Sequence, residues 1–199
     1  FWPCAPKSVP PRPTPPRRRT LLNGAAPGRG AVQPRLREHA GCVIRRATHG
    51  DLIPVIEINL KTLPEHYSDY FYEELLRECP EAFLVAEAAG RTVGYVICKI
   101  EHGFSNFRRL GFVKKAHLVS IAILPASRRS GLGTALVEEA IRGVRLRACH
   151  EFYLEVRCSN VHAVTMYEKL GFSVRSRQAS YYRDGEDAFI MSIEIRDNQ

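Results

Sequence analysis

Arg128-Arg129-Ser130-Gly131-Leu132-Gly133 lies between the apolar run His117 to Leu124 and the amphipathic run Thr134 to Leu146, and reads as strand, glycine-bearing turn and helix start. Glycine lets backbone N–H groups approach an anion with no Cβ in the way, and a helix N-terminus adds unsatisfied donors and the positive end of a dipole. Such a turn suits a diphosphate. Neither G-x-G-x-x-G nor G-x-x-x-x-G-K-[ST] occurs, which argues against a dinucleotide fold and a P-loop; the string present is R-x-x-G-x-G.

Outward from that turn, hydrophobic spacing predicts the remaining elements. Cys42 to Ala47 reads as an edge or first strand. Thr48 and Asp51 have the spacing of a capping box, and Leu52, Val55, Ile56 and Leu60 recur at helical intervals until Leu63-Pro64 ends the helix. Phe71, Leu75 and Leu76 mark a second helix from near Ser68. Phe83 to Glu87 and Thr92 to Ile100 read as a hairpin joined at Ala89-Gly90-Arg91, followed by a charged and aromatic loop from Glu101 to Lys115. A central strand runs from Ala116 to Leu124, and the helix after the turn puts Leu136, Val137, Ala140 and Val144 on one face. Phe152 to Arg157 is a strand, Val161 to Leu170 a helix, and Ser173 to Arg177 and Ala188 to Glu194 the last strands. The pattern predicts an α/β fold with helices packed on a mixed central sheet.

The chain of 199 residues is long enough for one full core plus an extension. Its formal net charge is +8, yet residues 1–41 hold eight Lys and Arg against Glu38 alone, which accounts for +7 of it. Nine of the 13 prolines also fall there, with few large apolar residues, so this stretch cannot bury enough surface to offset its ordering entropy. It is predicted to be a disordered, basic, Pro/Arg-rich extension ahead of a folded domain spanning 42–199. It has no apolar segment of the secretory kind; an Arg-rich, acid-poor leader also fits a transit peptide, and Phe1 in place of Met allows a processed or mis-assigned start. No apolar run approaches the roughly 20 residues a bilayer span requires, and no membrane contact is expected. The six cysteines form no C-x-x-C pair and have no His at zinc spacing, so no metal is expected and a reduced, cytoplasmic setting fits.

The hexapeptide Arg128 to Gly133, the strand Ser120-Ile121-Ala122-Ile123-Leu124 before it and Asn160 to Phe172 (NVHAVTMYEKLGF) after it resemble the CoA site of the GNAT superfamily of acetyl-CoA-dependent N-acetyltransferases. Leu63-Pro64-Glu65 and the run Ser180 to Ala188 are similar to the substrate-side segments of its archaeal and NatA-type protein N-terminal acetyltransferases, which are related to the RimI group. The resemblance covers about residues 42–195 and implies the GNAT fold with about four helices. For acetyl-CoA it implies contacts from Ile121, Ala122 and Ile123 to the pantetheine and thioester. It assigns the pyrophosphate to Arg128, Arg129, Ser130, Gly131, Leu132, Gly133 and Thr134. Asn160 and Tyr167 complete the set; Asn160 also reads as an N-cap and Tyr167 as core.

Transfer to an amine needs a neutral nucleophile, donors for the developing oxyanion and a proton for the departing thiolate. Strand alternation sets Tyr153, Glu155 and Arg157 on one face. The resemblance makes Glu155 and His117 the pair that removes the amine proton through water; the plainer reading is a Glu155 ion pair with Arg157 or a lysine and a strand-end His117. Glu65 is implied to meet the incoming amino terminus, with Leu63 and Pro64 beside it, or is simply solvated. Tyr181 and Tyr182 are implied to bind substrate backbone or pack the hairpin. Tyr167 is implied to protonate the leaving thiolate. The function expected is acetylation of free protein α-amines, on Ser, Ala, Thr and also Met ends, with weak ribosomal RNA contact through the basic extension. Two competitors remain: a lysine or polyamine acetyltransferase, and a non-catalytic CoA-sensing or RNA-associated module.

Overall fold

The structure, a computed structural model, describes residues 35–108 and 111–195. Its strands are β1 (Arg35–His39), β2 (Cys42–Arg46), β3 (Phe83–Ala88), β4 (Arg91–Phe104), β5 (Phe112–Ile123), β6 (Glu151–Arg157), β7 (Ser173–Gln178) and β8 (Ala188–Glu194). Its α-helices are α1 (Leu52–Thr62), α2 (Asp69–Glu78), α3 (Leu132–Leu146) and α4 (Val161–Lys169). The strands form one mixed sheet in the order β1-β2-β3-β4-β5-β6-β8-β7. Every neighbouring pair is antiparallel except β5 and β6.

Alternation along the central strands feeds two cores. Leu84, Ala86, Val96 and Cys98 join Leu136, Val137 and Val144 of α3 and Tyr167 of α4 on one face. Phe83, Val85, Tyr95 and Ile97 join Val55 and Ile58 of α1 and Tyr72 and Leu75 of α2 on the other. β5 changes phase midway: Leu118 and Ile121 belong to the first core, Val119 and Ala122 to the second. The pairing shows the cause, because Ile97 faces Ser120 while Cys98 faces Leu118, which makes Val119 the extra residue of a β-bulge.

The capping arrangement before α1 is present. Asp51 accepts from the Thr48 amide and hydroxyl at 2.8 and 2.7 Å and takes a two-pronged ion pair from Arg45, which also reaches Glu87. Burial alone would raise the Asp51 carboxyl; the Arg45 and Thr48 hydrogen bonds outweigh it and hold it below the usual range. Leu63, extended at φ −124°, ends α1 ahead of Pro64 as the sequence predicts.

Two expectations are corrected. The folded domain does not begin at Cys42, because Arg35–His39 is the outermost strand, with Arg37 paired to Glu138 on α3 and His39 Nε2 2.8 Å from the Ser130 carbonyl oxygen. Residues 1–34 of the expected extension lie outside the described residues. The segment Glu101–Lys115 is not a loop throughout: β4 and β5 run on as a hairpin to Phe104↔Phe112, beyond which the Ser105 N–H donates to the Gly111 carbonyl at 2.9 Å. This end of the hairpin keeps Phe104 and Phe112 exposed, so the apolar alternation that marks a half-buried strand is missing there.

Candidate active site

Pairing between β5 and β6 covers only Lys115↔Glu151, Ala116↔Phe152 and His117↔Tyr153. Beyond that point β5 stays with β4 and β6 with β8, so a wedge opens in the middle of the sheet. At its apex His117 Nε2 lies 2.7 Å from Glu155 Oε2, and both side chains are buried. The Tyr153 ring stacks on His117 with centroids 4.6 Å apart and planes 6° apart, and its hydroxyl donates to Glu101 at 2.6 Å. These contacts fix the plane of the imidazole and aim one nitrogen at the carboxylate. A buried imidazole hydrogen-bonded to a carboxylate can accept and relay a proton.

Three further groups gather near the Arg157 end of β6. Arg157 bonds Glu65 at 3.2 Å, Asp184 at 2.7 Å and Glu186 at 2.8 Å, with its guanidinium 3.9 Å from the Tyr182 ring centre. This knot joins the α1–α2 loop, β6 and the β7–β8 turn. Burial raises the Glu65 carboxyl, and the charge of Arg157 offsets that only in part. Glu65 Oε2 is buried with no hydrogen-bond partner among the described residues. A buried carboxylate oxygen with unfilled acceptor capacity, in a polar cluster, suits a cationic or N–H donor from a ligand. Tyr181 and Tyr182 are buried edge to face at 5.1 Å and pack with Ala188.

The anion cradle is built from strained backbone. Arg129 and Gly131 both take left-handed conformations, at φ +65° and +79°, a region that costs a non-glycine residue energy unless its surroundings impose it. Arg128 Nε donates to the Ile123 carbonyl at 2.8 Å, so its first task is to fasten the turn to the end of β5. The first α-helical bond of α3 runs from Ala135 N–H to the Gly131 carbonyl. The amides of Leu132, Gly133 and Thr134 precede it and have no carbonyl one turn back to bond. With the β5 edge inside the wedge, where Ile121, Ala122 and Ile123 lie past the last β6 pair, this fits a ligand carrying a diphosphate at one end and a hydrogen-bonding arm at the other.

Asn160 caps α4, its side-chain oxygen accepting from the Ala163 amide at 3.3 Å. Tyr167 is buried in the α3/α4 core with its ring 5.7 Å from that of Phe172. Leu63 is buried under α1 and α2, while Pro64 is exposed. Burial raises the thiols of Cys42, Cys149 and Cys158, and that of Cys79 to about 11, so these four are poor nucleophiles. Among the described residues no three His, Cys, Asp or Glu side chains are grouped to hold a metal ion, and no helix is long and apolar enough to cross a membrane.

Sequence reasoning missed the Tyr153 brace on His117, the linking role of Arg157 and the contact of His39 with the cradle. Alternation placed Tyr153 and Arg157 on the face of Glu155, which was the available signal; nothing local marked His39.

A model of the Acetyltransferase (GNAT) family matches residues 52–172. An N-alpha-acetyltransferase of Sulfurisphaera tokodaii is 46% identical over 154 residues, covering 76% of this chain and 92% of the relative. The NAA10 catalytic subunit of the N-terminal acetyltransferase A complex of Arabidopsis thaliana is 36% identical over 159 residues, covering 78% and 79%. Among solved structures, Ard1 from Thermoplasma volcanium superposes with a TM-score of 0.67 at 28% identity, covering 79% of this chain and 100% of that one. The wedge beside a glycine-turn cradle and the match across it agree, and the chain belongs to the GNAT acetyltransferase family.

Proposed function

We propose that the protein transfers the acetyl group of acetyl-CoA to the free α-amino group of protein N-termini, by direct attack with both substrates bound. The observation that carries this is the buried His117–Glu155 pair at the apex of the wedge, with Glu65 Oε2 unfilled in the cluster around Arg157. Relatives named N-alpha-acetyltransferase, covered over most of their length, support the choice of an α-amine.

The amides of Arg129 to Thr134 receive the pyrophosphate, and those of Ile121 and Ile123 hold the arm and the carbonyl oxygen as negative charge develops on it. Acetyl-CoA supplies the activated acyl group. Glu65 accepts from the incoming amino terminus, while Leu63, Pro64, Tyr181 and Tyr182 shape its surroundings. His117 and Glu155 take the amine proton through water, and Tyr167 protonates the departing thiolate. A peptide α-amine titrates near pH 8, so the base needs to recover only about one order of magnitude at pH 7, and positioning matters as much.

Turnover of Ser-, Ala-, Thr- and Met-starting peptides that also contain lysine, each with a free or a blocked α-amine, tests the reading. Acetylation of the free termini alone is expected. Equal turnover of blocked peptides would move the assignment to lysine, and binding of acetyl-CoA without turnover to a sensor.

The same reading gives the basic leader, residues 1–34, a weak contact with ribosomal RNA on the strength of its charge. Cosedimentation with ribosomes should fall steeply as salt rises, and loss of residues 1–34 should abolish it. Salt-insensitive cosedimentation would rule this out.

A further inference from the structure

The α1–α2 loop carries Glu65, and β5 carries the amides assigned to the acetyl group. A chain of polar side chains, exposed at His66 and buried from Asn59 onward, joins them. His66 Nδ1 lies 3.2 Å from Asn59 Oδ1, Asn59 Nδ2 is 3.0 Å from the Tyr95 hydroxyl, and that hydroxyl is 2.9 Å from Ser120 Oγ. Asn59, Tyr95 and Ser120 are all buried to within about one percent of full exclusion. Asn59 also accepts the Leu63 amide at its backbone carbonyl, at 2.9 Å, just where the helix gives way to Leu63-Pro64-Glu65.

The direction of the chain follows from donor and acceptor chemistry. Asn59 Oδ1 can only accept, so His66 Nδ1–H donates to it; Asn59 Nδ2 donates to the Tyr95 oxygen, which directs the tyrosine proton to Ser120. Burial pushes the Tyr95 hydroxyl up to about 12, outweighing the lowering effect of its hydrogen bonds with Ser120 and Asn59, so it stays protonated and acts as a fixed donor to Ser120. Ser120 follows Val119, the extra residue of the β5 bulge, and precedes Ile121. A second tie reaches the same spot: the Tyr67 hydroxyl lies 3.5 Å from the Val119 carbonyl, from a ring stacked on Phe71 at 4.7 Å. Polar groups buried this deeply within an apolar core are costly unless each finds its partner, so the chain has one low-energy arrangement.

We propose that Asn59, Tyr95 and Ser120 are positioning residues that register the acceptor-binding loop Leu63–Tyr67 on the bulge of β5, and so set affinity for the amine substrate without contributing to acetyl-CoA binding. The inference rests on the acetyl-transfer reading above and adds how the acceptor half of the site is aligned with the acetyl half. Removing one hydroxyl leaves the neighbouring donors unsatisfied and lets the loop drift. The cradle and its turn are fastened separately, through Arg128 and His39.

The test is steady-state kinetics on Tyr95→Phe and Ser120→Ala, with each substrate varied in turn. A rise of about ten-fold in KM for the amine substrate is expected, with KM for acetyl-CoA within about two-fold of the parent. Ser120→Thr, which keeps a hydroxyl, should restore most of the loss and covers the case in which Tyr95→Phe does not fold. Equal rises in both KM values, an unchanged amine KM, or no rescue by threonine would overturn the relay. The split is read with whichever amine substrate the protein turns over. Failure of the N-terminal reading therefore shows as a change of substrate, and failure of the relay as an absent split.

Discussion

Replacing Glu155 with glutamine is expected to lower kcat on a free N-terminal peptide by about ten-fold at pH 7, with KM for acetyl-CoA unchanged. Glutamine is close in shape and its amide oxygen can still accept from the His117 ring, 2.7 Å away in the parent, so the stack on Tyr153 survives. What is lost is the charge that makes the pair a proton acceptor. The deficit should depend on pH in a fixed direction. With an α-amine pKa near 8, about one tenth of the peptide is neutral at pH 7 and about nine tenths at pH 9, so the need for a base shrinks by roughly ten-fold between them. Profiles of kcat from pH 6.5 to 9.5 for parent and variant would show the gap closing as pH rises. A gap of constant size would assign Glu155 to holding His117 and not to proton removal.

The second large effect concerns stability. In an exposed helix interior, Gly→Ala usually stabilises by about 1 kcal/mol. Gly143 of α3 reverses that sign: a Cβ there would sit 2.1 Å from the Glu81 carbonyl oxygen and 2.7 Å from its carbon, both main-chain atoms that cannot rotate away. Gly143→Ala is expected to destabilise by about 3 kcal/mol, since α3 must lift off the turn Pro80–Ala82 or the turn must move. For a domain of this size, that lowers Tm by roughly 6–12 °C. Thermal melts followed by circular dichroism would measure it. An unchanged Tm would mean that helix and turn separate without loss of packing.

Local chemistry made one half of the site legible and distance in sequence hid much of the other. Gly131 and Gly133 announce the cradle because backbone conformation and close approach demand small residues within a few positions of each other. The capping box at Thr48 and the stop at Leu63-Pro64 are equally local. Glu155 stood out because a carboxylate in an apolar strand asks for a partner, and alternation named the face on which to look. Arg157 gains its meaning only when residues 65, 184 and 186 are folded around it. Tyr95, inside an apolar run, reads as a core residue until Asn59 and Ser120 arrive from other elements. β1 was missed for a related reason. Its alternation is charged on one side and nearly as polar on the other, and it is held by backbone pairing with β2 and by contacts to α3 and the cradle. The far end of the β4–β5 hairpin likewise has no buried face to write a pattern into the sequence.

The order of strands also governs when this protein becomes competent during its own synthesis. His117 and the β5 amides belong to a five-strand plate, β1 to β5, that is contiguous in sequence apart from its two helices. Glu155 and Arg157 belong to β6, whose antiparallel neighbour is β8, the last of the described strands, seated between β6 and β7. Until residues 188–194 have emerged, β6 is secured by only three parallel pairs, and the turn that brings Asp184 and Glu186 to Arg157 has no strand to close it. The cradle can therefore form while the chain is still growing, but the proton-handling side is completed only once residues 188–194 have been made, as expected where a domain depends on its most distant pairings.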